Sequence, residues 1–416
     1  MKAEEFISKA LAICSDRIYA VPGWPITNIS SICNAEIVVN EKVGLEYAIG
    51  SSLSGNTAAL IMKHEGLNVC ADLLLHSVPQ GLRKGVVLVV GDDVRGEFSL
   101  TSQDSRYYGE LAEVPVIQPE GEQCGMAITE AFNISARFSR PVIIRLTPSF
   151  LSSDIPDSKV FRSDEEGELA SADYPLISKI LLAKSRSAEM FKWASGSGLN
   201  KFGDCNNYQE IITMYPPPGP EKIPISIKEE GRPFLLHHRC ITPELTDRIP
   251  ETYTERGYYR TLCKNCPFHP LFLILKEKNR LAVCDAGCSV LALNPPLRLG
   301  IASYGLGNPV GIAAESTGLA LLGDYGVLHN ALPSLVDVFE KGKPVLCVIL
   351  KNRVMGMTGG QKGFDPAPYL SFTNPVQLHA EDVNGLKKHL ELEENPKVVI
   401  VEGECPEGRS HEIVQC

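Results

Sequence analysis

The chain has 416 residues, 44% hydrophobic and 22% charged, with a formal net charge of −10. That length exceeds what one hydrophobic core usually holds, so two domains are expected, and the composition lies far from the polar, highly charged regime of disorder. An acidic field disfavours nucleic acid and anionic membrane, so small molecules or protein partners are expected.

The longest apolar runs have strand length, well short of the roughly 20 residues that span a bilayer, and no membrane association is expected. The start, Met1-Lys2-Ala3-Glu4-Glu5-Phe6, is acidic where a signal peptide is basic, which points to the cytoplasm. From residue 11 to about 149, short apolar runs at 59–62, 86–90, 115–117 and 142–145 read as strands. Between them lie stretches with apolar residues three and four apart, such as Ile128, Ala131 and Phe132. This βαβ rhythm belongs to a parallel sheet covered by helices and defines a first domain over 1–152.

Residues 153–256 change in character. They hold the acidic Asp164-Glu165-Glu166-Gly167-Glu168, the loop-like Ser195-Gly196-Ser197-Gly198 and Tyr215-Pro216-Pro217-Pro218-Gly219-Pro220, whose prolines cannot continue a helix or a central strand. A small irregular connecting region is expected there. Over 257–416 the alternation returns. Its clearest unit has a strand at 319–322, a turn at Gly323-Asp324-Tyr325-Gly326 and a helix over 330–341, with Leu332, Leu335, Val336 and Phe339 on one face. Gly342 suits the helix C-terminal cap, and a strand at 344–350 ends at Lys351-Asn352. The expected fold class is α/β, with two mainly parallel sheets flanked by helices.

Asp324 and Asn352 follow successive strands, which delivers a carboxylate and an amide oxygen to one rim. Such a pair can hold Mg²⁺, whose remaining positions go to phosphate oxygens and water. Gly323 and Gly326 let the backbone approach a diphosphate. Two ordinary loops would share this spacing, just as Glu41 alone could be a first-turn residue favoured by a helix dipole.

Thirteen cysteines is an odd number, and in a reducing compartment they read as thiols or metal ligands. Cys263 and Cys266 form a C-x₂-C pair, Cys284 and Cys288 a C-x₃-C pair, and that order would make a structural zinc site. Cys14, Cys33, Cys70, Cys124, Cys205, Cys240 and Cys347 have no partner pattern and read as buried thiols.

The run Asn352-Arg353-Val354-Met355-Gly356-Met357-Thr358-Gly359-Gly360-Gln361 resembles the end of the thiamine diphosphate motif in ferredoxin-dependent 2-oxoacid oxidoreductases, above all the indolepyruvate:ferredoxin oxidoreductase large subunits. The likeness extends to Cys263-Lys264-Asn265-Cys266-Pro267 and Asp285-Ala286-Gly287-Cys288. In the amino-terminal half it covers Tyr19-Ala20-Val21-Pro22-Gly23, Asn40-Glu41-Lys42-Val43-Gly44-Leu45-Glu46, Met62-Lys63-His64-Glu65-Gly66-Leu67-Asn68 and Gln103-Asp104-Ser105-Arg106-Tyr107-Tyr108.

The resemblance implies two thiamine-diphosphate-binding-type domains. Gly23, Glu41, His64 and Asn68 would hold the cofactor on one side, and Gly323, Asp324, Tyr325, Asn352, Met355, Gly356, Met357 and Thr358 on the other. It assigns Asp324, Asn352 and the backbone carbonyl of Val354 to Mg²⁺. Glu41 becomes the carboxylate beside the aminopyrimidine ring that promotes removal of the thiazolium proton. Cys263, Cys266, Cys288 and Cys405 become ligands of a [4Fe–4S] cluster. The implied reaction is oxidative decarboxylation of a 2-oxo acid, with arylpyruvates as candidates, to an acyl-CoA. CoA is the cosubstrate, and electrons leave through the cluster to a ferredoxin or a cluster-bearing subunit. A small partner subunit and a dimeric or hetero-oligomeric assembly come with it.

The chain departs from the family in places. Trp24 stands where the family has a small hydroxyl residue, and Glu97-Phe98-Ser99-Leu100 where it tends to have His and serines. The middle region is short, and the repeated C-x₂-C-x₂-C runs of a ferredoxin-like C-terminal domain do not occur. Two other readings stay open on the residues: a non-oxidative 2-oxoacid decarboxylase with structural zinc, and a non-catalytic assembly subunit that keeps the fold. His64 could contact the cofactor or substrate and Arg106 could pair with a carboxylate, although a lone histidine or arginine after a strand is more often structural.

Overall fold

The computed structural model describes residues 1–199 except 94, 95, 102, 120, 172, 173, 175 and 198, the strand at 214–215, and residues 262–406 except 264 and 359. The chain divides into a first unit, Met1–Leu169 with Ile180–Asp247, and a second, Ala170–Lys179 with Arg248–Cys416. The proline run after Tyr215, the boundary near 257, Cys205 and Cys240 lie outside the described residues.

The first unit is built on β1 (Arg17–Ala20), β2 (Glu36–Ile37), β3 (Ala58–Lys63), β4 (Val86–Gly91), β5 (Val116–Ile117), β6 (Val142–Leu146) and β7 (Met214–Tyr215). Their order across the sheet is β2-β1-β3-β4-β6-β5-β7. All pairings are parallel except that of β5 with β7. β3 and β4 read as unbroken apolar runs because helices cover both faces of a parallel sheet. Helices Ala3–Cys14 and Cys124–Arg137 place Phe6, Ile7, Leu11, Ile128 and Phe132 in one core with Ile61, Val87, Val89 and Ile144.

Residues 155–170 carry no regular element and lie along this unit. Phe161 N–H donates to Thr129 Oγ1 (3.0 Å) and Gly167 N–H to the Arg83 carbonyl (2.8 Å). Helix Leu176–Gly196 then follows, more regular than the composition suggests, because the Ser-Gly run marks its end rather than a loop throughout.

A buried charge network braces the loop after β4. Arg145 of β6 is fully buried and pairs through Nε with Asp92 and Asp104, while its Nη1 donates to Gln118 Oε1. Ser105 Oγ donates to Asp92 Oδ1 at 2.6 Å. Removing one partner of a buried pair leaves its counterpart uncompensated, so Arg145→Ala is expected to cost about 3–5 kcal/mol in denaturant unfolding. A loss under about 1 kcal/mol, the level of exposed pairs, would show that water reaches the network.

The second unit carries β8 (Ala282–Cys284), β9 (Gly300–Ser303), β10 (Leu319–Gly323), β11 (Leu346–Lys351), β14 (Val376–His379) and β15 (Lys397–Glu402), in the order β14-β15-β11-β10-β8-β9. All of these pairings are parallel. β12 (Val354–Met355) and β13 (Gln361–Lys362) form an antiparallel hairpin in the loop after β11.

The segment read as a turn at 323–326 is already helical: Asp324–Gly326 is α-helix, Val327–Ala331 widens into a π turn, and Leu332–Lys341 is α-helix again. The buried face is Ala331, Ser334, Leu335 and Val338, whereas Leu332, Val336 and Phe339 are half-buried. A π turn inserts a residue and rotates everything after it, which a 3.6-residue periodicity cannot register. Gly342 ends the helix at φ 63°, in the left-handed region that suits a glycine C-cap. No described helix is long and apolar enough to cross a membrane.

Candidate active site

In the first unit the expected residues lie at the carboxyl ends of β1 and β3 and at the start of helix Glu41–Leu53. Asn40 caps that helix, its Oδ1 accepting the Val43 N–H at 2.9 Å. The Glu41 side chain lies against Gly66, where an added Cβ would come within 2.5 Å of Glu41 Cγ and 2.8 Å of Oε1. Glycine in the first turn of helix His64–Gln80 therefore gives Glu41 its place. Burial pushes the Glu41 carboxyl up, and the Glu65 charge adds to this against the opposing hydrogen bond of Glu41's own backbone. A carboxyl that holds its proton more tightly than usual suits proton exchange with a ring nitrogen.

Gly23 borders the Lys63 side chain, its carbonyl accepting the Ile26 N–H at 2.8 Å. Next to it, Trp24 packs edge-to-face on Phe98 with centroids 4.8 Å apart. The His64 ring is fully buried, Nδ1 accepts the Asp93 N–H at 3.1 Å and Nε2 lies 3.2 Å from the Thr101 carbonyl. Both nitrogens thus bond the loop after β4. Asn68 is exposed and bonded to Gln103 (3.0 Å) and Tyr108. Arg106 pairs with Asp104, its Nε 2.9 and 3.0 Å from the two carboxylate oxygens.

In the second unit, Asp324 follows β10 and Asn352 follows its neighbour β11, and the two meet. Asp324 Oδ2 accepts the N–H groups of Asn352 (3.1 Å) and Arg353 (2.7 Å), and Oδ1 that of Tyr325 (2.8 Å). Burial raises the Asp324 carboxyl against these three bonds. Arg353 adopts φ 58°, turning the chain so that its N–H faces Asp324. Asn352 Oδ1 lies 3.3 Å from the Val354 N–H, and the Val354 carbonyl accepts the Gly356 N–H at 3.0 Å. Met355, Gly356, Met357 and Thr358 form the tight turn leading to β13, Met357 and Thr358 being exposed. Tyr325 stacks near Phe364 and His329. Gly323 has open space where a Cβ would stand, as a cradle for an approaching ligand requires.

Asp285, at the end of β8, is a further organising residue. It is fully buried and accepts N–H groups of Gly307 (2.6 Å), Ala286 (2.8 Å) and Gly323 (3.2 Å), tying three loops of this rim together. A Cβ at Gly326 would meet its Oδ2 at 2.2 Å. Sequence reasoning quoted Asp285 without giving it a role. The signal was there, since a carboxylate after an apolar strand run is what drew attention to Asp324.

The thiols settle which cysteines are neighbours. Cys266 is pushed up to about 12 by burial and by the charges of Cys288, Cys263 and Cys405. Cys288 reaches about 12 through burial, Cys405, Cys263 and Asp324. Burial raises Cys405 too, with Cys263 and Asp324 adding. Gly403 lets the end of β15 close on Pro267, a Cβ there falling 2.8 Å from its Cβ. Asn352 Nδ2 donates to Cys405 Sγ at 3.0 Å.

Cys284 stands apart. It is buried in the core, its Sγ 2.9 Å from where a Gly300 Cβ would be, and its charge neighbours are Asp285 and Lys179. Cys263, Cys266, Cys288 and Cys405 feel one another, and Cys284 is not among the charges acting on them. Among the described residues, no three His, Cys, Asp or Glu side chains converge at metal-binding distance, so these four are electrostatic neighbours and not a closed ligand set. All described cysteines are free thiols.

Residues 277–387, which include Asp285, Asp324 and Asn352, match the family described as thiamine pyrophosphate enzyme, C-terminal TPP binding domain. Indolepyruvate oxidoreductase subunit IorA of Archaeoglobus fulgidus is 26% identical, over 83% of this chain and 73% of that protein. The IorA subunit of Thermococcus kodakarensis is 25% identical, over 82% and 72%. Among solved structures, the Rhodococcus jostii RHA1 thiamine diphosphate-dependent 4-hydroxybenzoylformate decarboxylase superposes with a TM-score of 0.59. It covers 98% of this chain and 100% of that one at 14% identity, a likeness of fold.

Proposed function

We propose, for a chain that is a thiamine-diphosphate-dependent enzyme related to the indolepyruvate oxidoreductase IorA subunits, that it oxidatively decarboxylates a 2-oxo acid to an acyl-CoA and passes the electrons to one [4Fe–4S] cluster. The observation that carries this reading is the Asp324–Asn352 rim with four mutually interacting thiols beside it in one unit.

Thiamine diphosphate, when bound, supplies the nucleophilic carbon and the electron sink that decarboxylation needs. A carboxylate offers about four acceptor positions, and Asp324 spends three on backbone N–H groups, which leaves one for a divalent cation. The amide oxygen of Asn352 and the carbonyl of Val354 are the other protein oxygens assigned to Mg²⁺. Gly323, Tyr325 and the turn from Met355 to Thr358 are assigned to the diphosphate, and Gly23, Asn68 and Glu41 of the first unit to the rest of the cofactor, Glu41 to its aminopyrimidine ring. Glu41 holds a proton for the aminopyrimidine ring.

Four sulfurs with neither His nor carboxylate among them suit iron–sulfur ligation, and side-chain rotation would close them on the cluster. An aromatic 2-oxo acid is the substrate class favoured by the relatives' names. The same reading calls for a cytoplasmic oligomer with a small partner subunit, CoA, and a ferredoxin or cluster-bearing subunit as acceptor.

Iron, zinc and acid-labile sulfide in anaerobically purified protein, with its visible spectrum, test the reading. About four irons and four sulfides per chain, with absorption that bleaches under dithionite, are expected. A single zinc without sulfide would overturn the oxidative reaction in favour of a non-oxidative decarboxylase. Failure to bind thiamine diphosphate with Mg²⁺ would overturn both and leave an assembly subunit.

A further inference from the structure

We infer that Asn352 is a positioning residue that couples the diphosphate site to the cysteine set, one amide serving both. The inference rests on the cofactor and cluster assignments above. The Asn352 Nδ2–H donates to Cys405 Sγ at 3.0 Å, while the other end of the same amide, Oδ1, makes only a long contact of 3.3 Å with the Val354 N–H. The backbone holds this side chain in place. The Asn352 and Arg353 N–H groups are both anchored on Asp324, and the Arg353 carbonyl accepts the Gly363 N–H at 2.7 Å. Oδ1 is the end of the amide assigned above to the cation.

An amide is conjugated, so drawing electron density from its oxygen makes its N–H a stronger donor, as in any polarised hydrogen-bond chain. Hydrogen bonds to the sulfurs are among the factors that set a cluster's reduction potential, and a stronger donor favours the reduced, more negative state. Loading Mg²⁺ and thiamine diphosphate therefore raises the potential of the cluster, which accepts electrons best when the cofactor that delivers them is in place. Cation charge on Asp324, whose carboxylate both Cys288 and Cys405 feel, works in the same direction.

Asn352→Asp keeps an oxygen for the cation and removes the N–H donor. In dithionite-reduced protein carrying ¹⁵N-asparagine, pulsed EPR is expected to detect a nitrogen coupled to the cluster in the parent and to lose it in N352D. In EPR-monitored redox titration, the parent midpoint is expected to rise on adding Mg²⁺ and thiamine diphosphate, and that of N352D to rise less. The comparison is between the two states of each protein, which removes the constant effect of the added charge. A parent with no asparagine coupling, or equal rises in both proteins, overturns the coupling while leaving the cluster assignment standing. Protein without iron, or unable to bind thiamine diphosphate, overturns the functional reading and the coupling with it.

Discussion

Replacing Glu41 by Gln is expected to lower 2-oxo-acid-dependent reduction of a viologen dye by about 10²–10⁴-fold, the contribution typical of one positioned acid–base group, while the protein stays folded. The same variant is expected to melt at or above the parent temperature at neutral pH. The folded-state pKa of Glu41 is raised by burial and by Glu65. Its stability contribution is thus fully present below the unfolded carboxyl value and is lost as pH rises through the higher folded value. Gln stands in for the protonated form and escapes that loss. The melting advantage of the variant should then vanish as pH falls below the ordinary carboxylate range, which calorimetry across a pH series would read. Parental turnover in E41Q would remove Glu41 from the chemistry, and a lower melting point at neutral pH would show that its ionised form is needed structurally.

Asp324→Asn is expected to weaken Mg²⁺-dependent binding of thiamine diphosphate by about 10²–10⁴-fold in isothermal titration, the equivalent of the roughly 3–5 kcal/mol lost when one partner of a buried charge pair is removed. An Asn oxygen can keep the Asn352 and Arg353 N–H bonds, but its amide nitrogen cannot accept the Tyr325 N–H, so the cofactor-free protein should melt somewhat below the parent temperature. Asp324→Ala strips the acceptor from three N–H groups, those of Tyr325, Asn352 and Arg353, at about 1–3 kcal/mol for each that stays buried. It should lower the melting point of the cofactor-free protein as well. Unchanged affinity in D324N would move the cation elsewhere on the rim.

Much of this site was legible because parallel strands buried on both faces announce themselves as unbroken apolar runs, and polar residues just past their ends stand out. Asp324 after β10 and Asn352 after β11 were found that way. The choice among cysteines was not. Spacing favours Cys284, four residues before Cys288, yet Cys284 is turned into the core. Cys405 arrives only because β15 lies beside β11, a pairing between distant segments that spacing does not encode. Resemblance, not periodicity, named it. The partners of His64 were hidden for a related reason: Asp93 and Thr101 lie in a loop without a pattern. Asp285 was overlooked because its partners are backbone N–H groups from three loops, which no side-chain motif records.

Asp285, Asp324, Asn352 and Cys405 lie just past the ends of β8, β10, β11 and β15, neighbours in the sheet but drawn from nearly the full length of the second unit. Parallel neighbours must be joined by crossovers, so these contacts form late, after several long loops have closed. No fragment of the sheet can present the whole rim. The rim is complete only once β15 has docked beside β11, and a ligand bound to the finished rim holds the sheet in its native form by mass action.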